Sequence, residues 1–206
     1  MKKTLLILGI ICWIFIGCKA MKTDDPPQPA RFGAKAGANF SSVNGDDAES
    51  FSGKTGFHFG GMVEIPVSDK FAVQPELLYS SQGADYSENE FTGSYKLDYL
   101  TIPVMAKFSL GEGFSVQAGP QVGFLLSAKD EYEIDGETMK EDVKDFTKST
   151  DIGANIGVDY TFDSGLNIGA RYNMGISRLD DFSGEEATNT KWRNSVFQIS
   201  LGYLFN

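Results

Sequence analysis

The chain has 206 residues and carries 28 Asp and Glu against 18 Lys and Arg, a formal net charge of -10 with one histidine. An acidic chain of this kind repels polyanions, which argues against nucleic acid as a partner. The only cysteines, Cys12 and Cys18, lie near the N-terminus, so the remainder offers neither a disulfide nor a Cys/His metal cluster.

Lys2 and Lys3 precede an apolar run over residues 5–16, too short to span a bilayer and shaped as a secretory signal over residues 1–17. Two processing routes stay open. Residues 15–18 are similar to a bacterial lipobox that would leave an acylated Cys18, whereas Cys18, Lys19 and Ala20 fit plain cleavage after residue 20. An integral barrel gains little from an acyl anchor, which favours plain cleavage. Loss of Lys2 and Lys3 with the signal moves the formal charge from -10 to -12. Residues 18–30 are polar and hold Pro26, Pro27 and Pro29, a composition that predicts an extended periplasmic linker.

From residue 31 onward, apolar and small or polar side chains alternate. The first stripe is Phe32, Ala34, Ala36, Ala38 and Phe40, with Gly33, Lys35, Gly37 and Asn39 between. The second is Phe57, Phe59, Gly61, Val63 and Ile65; the third Phe71, Val73, Pro75, Leu77 and Tyr79. Then follow Leu100 through Phe108, Phe114 through Phe124, Ile152 through Phe162, Leu166 through Ile176, and Phe197 through Phe205, each read at every second residue. Period two predicts eight strands, each about the nine to eleven residues that a tilted strand needs to cross a bilayer.

The connections alternate long and short: 43–54, 83–96, 127–149 and 178–191 are long, while 66–70, 110–113 and 163–165 are short. An outer-membrane barrel sorts its loops in this way, with short periplasmic turns and long extracellular loops. The face between the apolar stripes is rich in Gly, Asn and Gln rather than in Lys, Glu and Thr, which suits a narrow lumen and not a water-facing wall. Phe32, Phe71, Phe108, Phe114, Phe162 and Phe205 fall at one rim, as an interfacial aromatic girdle does. The predicted fold is therefore all-β, an eight-stranded antiparallel up-and-down transmembrane barrel over residues 31–206.

Inward parity places Lys35, His58, Glu64, Glu76, Lys107, Asp151, Asp159 and Arg171 in that lumen. Buried charges persist when they pair, so Lys35, Glu64, Glu76, Lys107, Asp159 and Arg171 read as a structural polar network. Spacing puts Glu76 and Arg171 near mid-height and the other four nearer the periplasmic end. His58, with Ser80 and Glu76 on the neighbouring strand, supplies the residue types of a lipid hydrolase, but all three point away from lipid. The long connections carry net charges of -2, -2, -4 and -2 in chain order, so the outer rim is acidic. Within residues 127–149 the acidic spacing mimics a calcium loop poorly; Asp135 and Gly136 between alternating Tyr132, Ile134 and Thr138 predict a hairpin instead.

Four strings resemble the PorT-like outer-membrane β-barrel family: residues 33–41 (GAKAGANFS), 74–80 (QPELLYS), 99–104 (YLTIPV) and 118–120 (AGP). The resemblance implies an integral outer-membrane barrel, and it implies no single activity. Barrels of this kind commonly end on an aromatic; here Phe205 is in phase but Asn206 follows it. The expected role is a structural or interaction platform for acidic loops, with a small passive pore as the alternative and a lipid-modifying enzyme third. No cofactor or metal site is expected. The expected partners are outer-membrane lipids, the barrel-assembly machinery through the last strand, and an envelope or extracellular protein.

Overall fold

The computed structural model describes residues 28–44, 51–88, 91–134, 137–177 and 192–205. The signal segment, Cys18, most of the linker, the Asp135 and Gly136 turn, residues 178–191 and Asn206 lie outside the described residues. Among those described run the strands Arg31–Asn44 (β1), Phe51–Ser68 (β2), Phe71–Glu88 (β3), Phe91–Gly111 (β4) and Phe114–Ile134 (β5). Glu137–Asp142 (β6), a single 3-10 turn at Lys144–Phe146, Thr150–Thr161 (β7), Leu166–Gly175 (β8) and Arg193–Phe205 (β9) complete them.

Every strand pairing is antiparallel, and the sheet closes on itself through β1 with β9 and β4 with β5. Eight strands form the ring, in the order β1, β2, β3, β4, β5, β7, β8, β9, while β6 pairs with β5 outside it. Closure matters because a ring leaves no unpaired edge within the wall. The short connections turn tightly at one end. Between β4 and β5 the backbone passes through φ of 108°, 51° and 82° at Gly111, Glu112 and Gly113, a left-handed run that two glycines make accessible.

Exposure alternates as the sequence does: Phe32 is 64% exposed and Ile156 58%, whereas Lys35 is 8% and Glu76 3%. The ring is thus apolar outside and polar inside. At the turn end Phe32 pairs with Phe205 and Phe71 with Phe108. Phe114 meets Tyr160 at 5.8 Å, and Tyr160 meets Phe162 edge-on at 4.7 Å. Five of the six girdle phenylalanines are exposed, and Phe71 is half-buried.

The far end corrects the reading of open loops. β3, β4 and β5 run 18, 21 and 21 residues, roughly twice the length that crossing a bilayer requires. Residues 83–96 are ladder throughout, from Gly83 opposite Lys96 to Glu88 opposite Phe91. The hairpin within residues 127–149 is present as β5 and β6, with Ile134 opposite Glu137 and Lys129 opposite Asp142, the register that a two-residue turn imposes. Alternation continues past the membrane in these segments, through Tyr86, Tyr95 and Tyr132, and backbone pairing continues with it. Tyr86 and Tyr95 pack at 5.1 Å.

Candidate functional site

The candidate site is the lumen, whose polar side chains fall into layers. At mid-height the Arg171 guanidinium on β8 grips the Glu76 carboxylate on β3 through two bonds, Nη1 to Oε2 at 2.9 Å and Nη2 to Oε1 at 2.7 Å. Lys35 Nζ on β1 lies 3.3 Å from Glu76 Oε2, and Gln74 Nε2 donates to Oε1 at 2.7 Å. Gln117 accepts from Arg171 Nη2 at 2.9 Å. One carboxylate therefore holds two cations across the barrel. Spacing alone groups Lys35 with the periplasmic charges, but its long side chain reaches the mid-height carboxylate.

Nearer the turn end Lys107 Nζ on β4 lies 2.8 Å from Glu64 Oε2 on β2 and 3.0 Å from Asp159 Oδ2 on β7. Arg31 bonds the other Glu64 oxygen, and Asn167 Nδ2 donates to Asp159 Oδ2 at 3.0 Å. All six residues of the anticipated network are buried. They form two separate clusters, Lys35 with Glu76 and Arg171, and Glu64 with Lys107 and Asp159. Cation and anion come from different strands in each pair, so each pair also ties the ring across its width.

Above mid-height the hydrolase combination of His58 with Ser80 and Glu76 is not assembled. Ser80 Oγ accepts from Asn39 Nδ2 at 3.0 Å and from Gln82 Nε2 at 2.8 Å, while Glu76 is taken by its cations. His58 instead bonds Asn39 Oδ1 through Nδ1 at 2.7 Å and Ser200 Oγ through Nε2 at 2.9 Å. Asn39 Nδ2 faces the carbonyls of Phe57 and Ser81, so its Oδ1 is the acceptor; Nδ1 then carries the His58 proton and Nε2 accepts from the Ser200 hydroxyl. The sequence reading missed Asn39 and Ser200. Gly37 is the residue that brings them together, since it pairs with both His58 and Ser200, and a Cβ there would lie 2.7 Å from His58 Cε1 and 1.9 Å from the Ile199 carbonyl oxygen. The arrangement has a hydroxyl and a base in contact, yet all three side chains are buried within the lumen and face away from the apolar outer surface. Asp151, also inside, accepts from Ser177 Oγ at 2.6 Å.

The lumen ends toward the strand extensions in an apolar cap. Val43, Ala84, Leu97, Tyr99, Leu125 and Ala128 form a buried cluster, with Val143 and Trp192 packed against it. The chain after β6 turns back to supply Val143, whose amide donates to the Ala128 carbonyl at 3.1 Å. Polar layers below and an apolar layer above succeed one another along the barrel axis.

Residues 23–181 match the family model described as an outer membrane protein beta-barrel domain. No curated protein matches the chain. Among solved structures, the attachment invasion locus protein Ail of Yersinia pestis is 16% identical, with a TM-score of 0.53 over 86% of this chain and all of that one. Ail in complex with the heparin analogue sucrose octasulfate superposes with a TM-score of 0.54 at the same identity and coverage. Neisserial surface protein A is 14% identical, with a TM-score of 0.51 over 86% of this chain and all of its own. The family match covers most of the barrel, and the fold, the apolar exterior and the polar interior accord with it: the chain belongs to the outer membrane protein beta-barrel domain family and is an integral protein of a bacterial outer membrane.

Proposed function

We propose that this protein is a closed platform, a barrel filled for rigidity that carries an extracellular sheet away from the lipid surface. The observation that carries this reading is the filling of the lumen, two clusters of cross-strand ion pairs beneath an apolar cap. A water-filled path needs lining groups free to meet ions, and here the charged groups meet each other. The enclosed Ser200, His58 and Asn39 set supports a non-catalytic reading, because a lipid ester has no approach to it.

Outer-membrane lipids surround the barrel, and the last strand with Phe205 in phase is the element that the barrel-assembly machinery would engage. The acidic long segments favour a basic or cationic face on an envelope or extracellular protein partner. Within the family, the strings at residues 74–80 and 99–104 favour a PorT-like member. Planar-bilayer recording of purified protein tests the platform directly. The expected trace is flat at moderate voltage. Reproducible, cation-selective conductance would replace the platform with the pore.

A further inference from the structure

Above the apolar band, residues on the extensions of β2, β3, β4, β5 and β6 line a shallow, open cleft of about 550 Å³. Strand register defines its floor. Ser87 lies opposite Thr92, Thr92 opposite Glu133, and Glu133 opposite Thr138, so four polar side chains form one row across four strands. Beside it runs a second row, in which Asp85 faces Ser94, Ser94 faces Glu131, and Glu131 faces Lys140. Adjacent members of a row are separated by about the 4.7–4.9 Å between paired strands. These residues share the phase of Ile102 and Leu100 on β4, so the cleft continues the surface that faces lipid lower down.

The charges in the cleft are already matched. Lys54 Nζ lies 3.3 Å from Asp85 Oδ1 and donates to Ser94 Oγ at 2.6 Å; Glu131 takes Lys96 on one oxygen and Lys140 at 3.1 Å on the other. Neutralised lysines do not make an anion site, which separates this cleft from one suited to phosphate or sulfate. The row of Thr92, Glu133 and Thr138 has no side-chain hydrogen bond among the described residues, and all three line the cleft. Hydroxyls and a carboxylate at fixed spacing, beside paired charges that both donate and accept, suit a ligand rich in hydroxyls and poor in net charge.

From this geometry we infer that the cleft binds the sugar portion of a glycolipid in the surrounding outer leaflet. The inference rests on the platform reading and names one class of its partners. Its position, on the lipid-facing phase and directly beyond the apolar band, puts it where the headgroup of a neighbouring lipid lies. Glu133 accepts sugar hydroxyls, and Thr92 and Thr138 orient them.

The test uses the mature chain in nanodiscs of zwitterionic phospholipid. The probe is the oligosaccharide released from outer-membrane glycolipid, offered with and without its phosphates, and binding is read by saturation-transfer NMR and calorimetry. Binding of the dephosphorylated sugar that is unchanged from low to high salt is expected, with a loss of about ten-fold for Glu133→Gln and for Thr92→Val, the scale of one or two hydrogen bonds. Both positions lie outside the barrel wall, and retention of heat-modifiable migration in gels identifies folded variants. Intact glycolipid in the nanodisc should displace the free sugar, which marks the membrane as the source; a sugar that binds but resists this displacement would overturn the glycolipid assignment. Binding that needs phosphate and vanishes with salt, binding unmoved by either substitution, preference for a lysine-rich peptide, or no binding at all would each overturn the inference. Bilayer recording on the same preparation keeps the two readings apart, since a silent barrel that ignores sugar defeats only the cleft.

Discussion

Arg171 grips both oxygens of Glu76 while Lys35 lies 3.3 Å from one of them, so removing the carboxylate and removing a cation have unequal consequences. Glu76→Gln leaves two buried cations facing a neutral amide and should cost about 3–5 kcal/mol. Arg171→Met leaves Glu76 paired with Lys35 and should cost less. The double variant should recover part of the Glu76→Gln loss, visible as coupling in a double-mutant cycle from urea titration in micelles. Strictly additive costs would mean that these side chains line water. Outside the membrane, hydrogen bonds from Lys96 and then Lys140 hold Glu131 below the usual carboxylate range. Burial pushes neighbouring Asp130 up, against hydrogen bonds from Tyr86 and Tyr95. Glu131 therefore contributes stability above its unfolded pKa that is lost as pH falls through its folded value. Asp130 works in the opposite sense, its contribution present in acid and lost as pH rises through its raised value. Carboxyl-carbon NMR titration should place Asp130 above and Glu131 below the ordinary range, and Lys96→Met should raise Glu131. Coincident titration of the two would contradict the hairpin geometry.

The strands do two jobs along their length. Near mid-height their outward residues meet lipid: Val104 is 40% exposed and Ile156 58%, and both lie on the apolar face of paired strands. Arginine at either position should cost roughly 2–4 kcal/mol of folding stability in bilayers. Asn155 faces inward, where it contacts Gln121 at 3.4 Å and accepts from Asn173 at 3.1 Å. Asn155→Ser should cost only about 1 kcal/mol, the worth of a hydrogen bond in an already polar layer. Chemical unfolding of the three variants side by side checks the assignment, and equal losses would mean that the faces are exchanged. Beyond the band, the same alternation builds sheet rather than loop. Tyr86 and Tyr95 pack at 5.1 Å, and Tyr86 donates to Asp130 at 3.0 Å, so the extensions of β3, β4 and β5 hold one another without lipid.

At the scale of the molecule, short turns at one end and long hairpins at the other fix how the barrel sits. A protease tag inserted at Gly136 should be cut on intact cells, while one at Gly111 should be protected until the outer membrane is opened. The reverse pattern would invert the barrel. The ring also explains how the distant ends of the chain cooperate, because β1 and β9 close it and the His58, Asn39 and Ser200 bonds cross that seam. Ion pairs, the seam and the apolar cap each join strands far apart in sequence, contacts that no single hairpin can make.

Much of this is legible in the sequence, because a strand has a period of two and each residue therefore declares its face. Eight strands, the apolar exterior, the aromatic rim and the inward charges follow from that parity alone, as does the hairpin around Asp135 and Gly136. Which inward groups touch was decided only by tertiary structure. Parity gives a face but no height, and contact across a barrel depends on register, strand tilt and the reach of long side chains. Lys35 thus joined Glu76 rather than the lower cluster, and His58 found Ser200 from the last strand rather than Ser80 from its neighbour. The extensions of β3, β4 and β5 were hidden for a different reason. A bilayer sets the minimum length of a strand and not its maximum, so only the observed pairing could show where the sheet stops. The apolar cap needed the closed ring as well, since its residues come from four strands, the segment that returns after β6 and Trp192 just before β9, and nothing local to any of them marks them as neighbours.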